Sequence, residues 1–443
     1  MMKLGLSIRQ LGYHAGGWRH PDVPAGGAMD IDHYVHNAQV AERGLLDMVF
    51  LADGVALRQR DEPPGSLSRS NQNVELEPLT LLSAVAMRTL RVGLVATAST
   101  TYNEPFHVAR KFASLDHISR GRAGWNVVTS WSAAEAHNFN REEHLDYDTR
   151  YDRAAEFVEV VKGLWDSWET EAFAHDKVSG LFFHPERMHR LDHRGKHFQV
   201  AGPLTVARSR QGRPIIVQAG TSEQGQEIAA ASADIVFTAM DELAPAQAYY
   251  GAVKARLARH GRAETDLLLM PGLLPVVART EAEARDKFEF LQGLTHPLVG
   301  LQNLYGPMGD LSDHDLDGPV PEPRDPEMRS RARVLLELAR RENLTIRELY
   351  LRASIGRGHR TVIGTPSRVA DAMQSWVEAR AADGFNIIPT HLPGGAEDFV
   401  DLVVPELQER GLFRTAYEGE TLRENLGLPM PTSRYAAHPQ KED

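Results

Sequence analysis

The chain has 443 residues, a formal net charge of −11 and no cysteine, with 42% hydrophobic and 25% charged residues. Disulfides, thiolate nucleophiles, Fe–S clusters and Cys-type zinc sites are excluded, and a general nucleic-acid role lacks the basic face it needs. With no apolar run of bilayer length and no signal-peptide hydrophobic region at the start, the expectation is a cytoplasmic protein without a membrane or nucleic-acid partner.

Short apolar runs alternate with longer amphipathic ones. Strands are predicted at 3–8, 47–51, 91–97, 122–128, 214–218, 234–238, 267–277 and 385–389. Helices are predicted at 31–45, 78–89, 105–118, 150–168, 222–231, 245–260, 281–294 and 366–382, several with proline at the first turn. Eight alternations in β-then-α order favour one α/β domain, a TIM (β/α)8 barrel, over an open doubly wound sheet. Three stretches exceed the bare barrel: 54–77, 170–213 and 295–361. The last holds the Gly/Pro-rich GPMGDLSDHDLDGPVPEP and helical runs at 329–341 and 345–352. Insertions at the C-terminal face of a barrel build and cover an active site; the other reading is a surface or dimer-packing excursion. The stretch from Tyr417 onward is polar and reads as a tail that packs on a partner subunit or is disordered.

Several residues sit where barrels carry chemistry. Residues 215–229 read IIVQAGTSEQGQEIA, a strand followed by Gly220, Thr221 and Ser222 and then a helix. Free N–H groups and the helix dipole suit such a turn to phosphate; an ordinary N-cap has the same pattern. Asp53 ends the second strand, a functional position in a barrel and also a common turn residue before glycine. Thr97 ends the third strand. Asn126 lies inside the apolar run AGWNVV, where it needs a hydrogen-bond partner from a ligand or from backbone. Tyr147 and Tyr151 fall one turn apart on one helical face.

Of the histidines, the natural acid–base residues, His14 follows the first strand and His296 opens the longest insertion. His137 ranks behind them. Arg19, Arg58 and Arg60 near the rim suit an anionic substrate or plain solvation. GRGHRTVIGTP, near residue 364, has glycines without P-loop spacing. There is no G-x-G-x-x-G at the first strand–helix turn, which argues against a Rossmann NAD site, and no metal-ligand spacing.

The segment 91–131, RVGLVATASTTYNEPFHVARKFASLDHISRGRAGWNVVTSW, and the ending DGFNIIPTHLPGGAEDFVDLVVPELQERGLFRTAYEGETLRENLGLP carry a family resemblance that runs from about residue 4 to 428. The chain resembles the flavin-dependent two-component monooxygenases of the bacterial luciferase-like superfamily, in the branch of nitrilotriacetate monooxygenase component A and dibenzothiophene-sulfone monooxygenase. The resemblance implies FMN, used as FMNH2 from a separate NAD(P)H:flavin reductase. It implies transfer of one oxygen atom from O2 to a small organic substrate through a C4a-peroxyflavin. It places Asp53, Thr97 and Asn126 at the flavin ring, and Tyr147, Tyr151, Gly220, Thr221 and Ser222 at its phosphate. The family usually has histidine where Tyr147 stands, so a positive charge is lost there. His14 and His296 would face the substrate as catalytic residues, with no metal. A homodimer or homotetramer is implied. The alternatives are a flavin-binding barrel without turnover, a deazaflavin-dependent oxidoreductase and a metal-dependent barrel hydrolase. Substrate identity is not legible.

Overall fold

The computed structural model describes residues 1–435 apart from Arg58, Gln72, Trp131 and Asp325. All eight predicted strands form. In chain order the strands are β1 (Lys3–Ser7), β2 (Met48–Leu51), β3 (Gly93–Ser99), β4 (Ala123–Val128), β5 (His193–Arg194), β6 (Gln199–Val200), β7 (Ile215–Ala219), β8 (Ile235–Thr238), β9 (Leu268–Val277), β10 (Arg360–Gly364) and β11 (Gly384–Ile387). Parallel pairing runs β1-β2-β3-β4-β7-β8-β9-β11 and returns to β1, closing an eight-stranded barrel. Met48, Phe50, Val95, Ile215, Val217, Ile235 and Met270 fill its interior. Strands buried on both faces read as continuous apolar runs, which is why each was visible in the sequence.

Helices wrap the barrel: α1 (Ile31–Arg43), α2 (Pro78–Ala86), α3 (Pro105–Ile118), α4 (Ala133–His137), α5 (Tyr147–Trp165), α6 (Glu223–Ser232), α7 (Leu243–Leu257) and α8 (Glu281–Gly293). Then come α9 (Pro297–Met308), α10 (Arg329–Glu342), α11 (Ile346–Ser354), α12 (Pro366–Glu378), α13 (Gly394–Asp398), α14 (Val404–Glu409) and α15 (Leu422–Leu426). Among the described residues no helix is long and apolar enough to cross a membrane.

Two features depart from the expected outline. The first is β9. Its lower part pairs with β8 and β11, whereas residues 273–277 pair with β10. At about 3.3 Å per residue the upper part overhangs the barrel by ~13 Å. β10 lies in the glycine-rich GRGHRTVIGTP; it is mostly half-buried, so it lacks the continuous apolar run that marked the other strands. The second is the tail. Residues 417–435 fold onto the chain's own barrel instead of extending from it. Leu422, Leu426 and Leu428 plug the barrel base. Arg423 pairs with Asp234 at 2.9 Å, and the Tyr417 hydroxyl donates to the Leu46 carbonyl at 2.7 Å. The segment's polar average hides these leucines.

Two insertions meet at the rim. Gln302, on α9, donates to the Arg60 carbonyl at 2.8 Å. The Arg60 guanidinium grips both oxygens of Glu327 at 2.8 and 2.7 Å and lies 4.6 Å over the Tyr305 ring. Helices α9, α10 and α11 share a small core of their own, built on Leu304, Met308, Ile346 and Leu349. The 170–213 insertion instead runs along the outside of α5, where His193 meets Glu156 at 2.9 Å and Lys196 meets Asp152 at 2.7 Å.

Leu422 is fully buried in the plug. Leu422→Ala is expected to cost about 2–5 kcal/mol of unfolding free energy, as for other core leucines. Denaturant titration checks this; a loss under ~1 kcal/mol would show the base is not sealed by this helix.

Candidate active site

Parallel strands of a barrel end together, so their last side chains meet at one rim. Thr97 and Asn126 do so on β3 and β4. Asn126 is buried and donates from Nδ2 to Thr97 Oγ1 at 2.8 Å, and Thr97 donates to the Leu51 carbonyl at 2.7 Å. The partner of Asn126 is therefore a side chain, not backbone. Its Oδ1 is buried with no protein partner among the described residues, an acceptor that still needs a donor. Beside them the Ser99 and Ser130 hydroxyls pair at 2.9 Å. Ser130 adopts φ 59, a left-handed conformation unusual for a non-glycine residue, and the Arg150 guanidinium donates to its carbonyl.

Asp53 follows β2. Burial pushes its carboxyl up to about 6, with Glu77 and Glu135 adding repulsion against the Gly54 N–H. Glu135 is a buried carboxylate that sequence reading missed. It accepts from the Val55 N–H at 3.2 Å, the Ser132 N–H at 3.2 Å and the Ser130 hydroxyl at 3.3 Å, tying the β2 loop to the β4 loop. The Ser132-x-x-Glu135 capping box was its available signal.

The turn after β7 joins this rim. Gly220 has φ 150, and a Cβ built there would meet nothing within 4 Å, so open space lies over the turn. The Tyr249 hydroxyl holds the Gly220 carbonyl at 2.7 Å. Ser222 is the N-cap of α6, accepting from the Gly225 N–H at 3.1 Å, and its hydroxyl reaches Tyr151 Oη at 3.4 Å. Ser222 thus caps α6 and also faces the first turns of α5. The Tyr147 and Tyr151 rings lie 4.6 Å apart, as their spacing predicts. Thr221 is exposed beside them.

The histidines divide. His14 is buried. Its Nδ1 accepts from the Gly16 N–H at 3.1 Å, so Nε2 carries the proton and donates to Gln292 Oε1 at 2.9 Å. It ties the β1 loop to the end of α8. His296 is the N-cap of α9, accepting from the Leu298 N–H at 3.2 Å. Burial, Arg69 and Arg19 all lower its pKa. Arg19 donates to the Leu294 carbonyl at 2.6 Å, and Arg69 lies against Gly65 next to Leu298. Two guanidinium groups from two different loops, those of Arg19 and Arg69, therefore face the His296 imidazole. Arg60 is committed to Glu62 and Glu327 instead, and Arg58 lies outside the described residues. His137 is bonded to the Glu142 carbonyl at 3.1 Å.

A cavity of about 740 Å³ opens in the wedge between the β9 overhang, α8 and α13. It is lined by His20, His391, Phe290 and Lys287 and by none of the rim residues above. His391 is stacked 4.2 Å from His20 and pushed down to about 3 by burial, so it is neutral at physiological pH. Among the described residues no three His, Asp or Glu side chains converge as a metal-ligand set.

The family model "Luciferase-like monooxygenase" matches residues 10–383. The chain is 51% identical to N-acetyl-S-(2-succino)cysteine monooxygenase of Bacillus subtilis (strain 168), over 98% of both chains. It is 50% identical to nitrilotriacetate monooxygenase component A of Aminobacter aminovorans, also over 98% of both. A solved riboflavin lyase with modified FMN and riboflavin superposes with a TM-score of 0.82 at 32% identity, covering 97% of this chain and 96% of that one.

The raised pKa of Asp53 has a defined sign. Its protonated form favours the fold, an advantage complete below the ordinary carboxylate value of 3.8 and lost as pH rises through about 6. Asp53→Asn stays neutral. It is expected to match the parent near pH 4 and to melt increasingly above it as pH rises towards 7. Calorimetric melting across that range checks this; a pH-independent difference is the contrary result.

Proposed function

The chain belongs to the luciferase-like monooxygenase family and is a flavin-dependent monooxygenase of the two-component kind, and we propose that its flavin is FMN, supplied as FMNH2 by a separate NAD(P)H:flavin reductase, with O2 and a small carboxylated organic molecule as the other reactants. The observation that carries the cofactor reading is the rim itself. An orphaned buried acceptor on Asn126 stands beside a glycine turn with open space above it and a helix N-terminus behind it.

These residues fit FMN. The α6 N-terminus with Gly220, Thr221 and Ser222 suits the phosphate, and the Tyr147 and Tyr151 hydroxyls can donate to it. Tyr147 brings a donor but no charge. Thr97 and Asn126 would hold the ring edge, with Asn126 Oδ1 available to accept from a ring N–H. Asp53, whose pKa burial raises to about 6, would lie beside the ring and could orient it by hydrogen bonding. Bound there in reduced form, the flavin supplies the electrons that allow one atom of O2 to enter the substrate.

The protein's own part is to bind, orient and exclude water. The clasp of Arg60 on Glu327 and Tyr305 closes two insertions over the rim. Both charged partners are exposed, so the clasp adds little stability and leaves the insertions able to part. His14 positions the β1 loop through its bond to Gln292, and His296 presents an imidazole at the substrate side. Two relatives bear the names of polycarboxylate substrates. Arg19 and Arg69 form no ion pair with a carboxylate among the described residues and flank His296, which supports an acidic substrate here. A cytoplasmic homodimer or homotetramer belongs to this reading through the family resemblance alone.

Anaerobic titration with FMNH2 tests the cofactor. One site per chain is expected, with Asn126→Ala and Tyr151→Phe each weakening binding by roughly tenfold, the worth of one hydrogen bond. Absence of binding would turn the assignment towards a deazaflavin, and binding without substrate oxidation towards a flavoprotein without turnover. For the substrate, Arg19→Ala and Arg69→Ala are expected to raise KM several-fold with kcat unchanged, the signature of uniform binding. Steady-state kinetics on carboxylated thioethers and amines reads this; an unchanged KM in both variants would remove the arginines from the site.

A further inference from the structure

β10 takes no part in closing the barrel, yet it starts one residue after a side chain that stands in the barrel mouth. That residue is His359. Gly272 lies on β9, two residues above Met270, whose side chain fills the barrel interior, so position 272 also faces inward. A Cβ at Gly272 would stand 2.3 Å from Nδ1 and 2.8 Å from Cε1 of His359, and 2.5 Å from Ile388 Cδ1. The imidazole therefore occupies the space a side chain at 272 would fill. Its ring is 5.3 Å from that of Phe237 at the top of β8, and Phe237 is 5.4 Å from Phe50 inside the barrel. The approach is set by a 3-10 turn, Gly356–Gly358, with both glycines at positive φ (63 and 88) and the His359 N–H bonded to the Gly356 carbonyl at 2.7 Å. Pairing of β10 with the β9 overhang then fixes the height of the ring.

In the eight-strand ring, β8 and β9 stand opposite β2 and β3. His359 thus faces the rim of Asp53 and Thr97 across the mouth. On its own wall the ring lies against Phe237 and close to Ile388. A polar substrate group on this side has the imidazole to meet.

We propose that His359 is a specificity-determining residue that donates a hydrogen bond to a carboxylate of the substrate, on the opposite wall from the flavin. The proposal rests on the FMN reading above. The probes are 2-(methylthio)succinate and its uncharged dimethyl ester, titrated calorimetrically into anaerobic, FMNH2-saturated full-length protein. FMNH2 affinity is measured first on each variant. The parent is expected to bind the diacid at least tenfold more tightly than the diester. His359→Leu should cut that preference several-fold, the remainder resting on Arg19 and Arg69, with diester and FMNH2 affinities within twofold of the parent, and His359→Gln should retain most of it. Gly272→Ala, which displaces the imidazole without altering it, should reproduce the His359→Leu result. Melting curves confirm that each variant is folded. Unchanged diacid binding in His359→Leu, an equal loss for both probes, or no diacid preference in the parent would each overturn the proposal. A parent that fails to bind FMNH2 would overturn the flavin reading on which it stands.

Discussion

The length of β9 is the constraint on which the rest of the structure hangs. A strand of the usual barrel length would pair with β8 and β11 and stop. This one continues ~13 Å further, and its exposed edge must find a partner or remain an unpaired row of N–H and C=O groups. β10 supplies that partner. Consequently α8 starts above the barrel and returns only as far as the rim, where Gln292 meets His14. The long insertion leaves from that height, so α9 lies by the mouth instead of below it. The wedge between the overhang and α13 is the cavity holding His20 and His391.

The barrel separates two chemistries along its axis. Below, aliphatic and aromatic side chains fill the interior and three leucines of the C-terminal segment plug the base. Above, the same strands end in Thr97, Ser99, Asn126 and Asp53. Charge is handled differently at each end. At the base, Asp234 is matched by Arg423. At the rim, Asp53 has carboxylates for neighbours, and burial raises its pKa. Natural proteins tolerate such mismatches where function needs them.

The rim is assembled from loops that are remote in sequence. Glu135 links the loops after β2 and β4, Ser222 links β7 to α5, and Arg19 ties the β1 loop to the Leu294 carbonyl, where the longest insertion begins. Few of these bonds are strong alone, since single hydrogen bonds contribute ~1 kcal/mol. Their value is geometric: each ties a flexible connection to a rigid strand end. The clasp through Arg60 is the outermost and most exposed member of this set, and so the one best suited to open.

The sequence by itself determined the barrel. Eight buried strands must be apolar throughout, and eight amphipathic helices must carry period-3.6 stripes, so both patterns are local and legible. It also marked the polar strand ends at Asp53, Thr97 and Asn126, and the Gly220–Ser222 turn, because a polar residue closing an apolar run is a local signal. What it left undecided depends on contacts between distant segments. β10 became a strand only because the β9 overhang needed an edge partner. Residues 417–435 became a plug, not a tail, because the barrel base is open to three leucines. Glu135 and His359 look like ordinary surface residues in their own segments. They reach the rim through tertiary geometry, in one case a capping box folded inwards and in the other a glycine turn facing Gly272. Periodicity records which face of an element is buried; only the closed fold decides which side chains share a mouth.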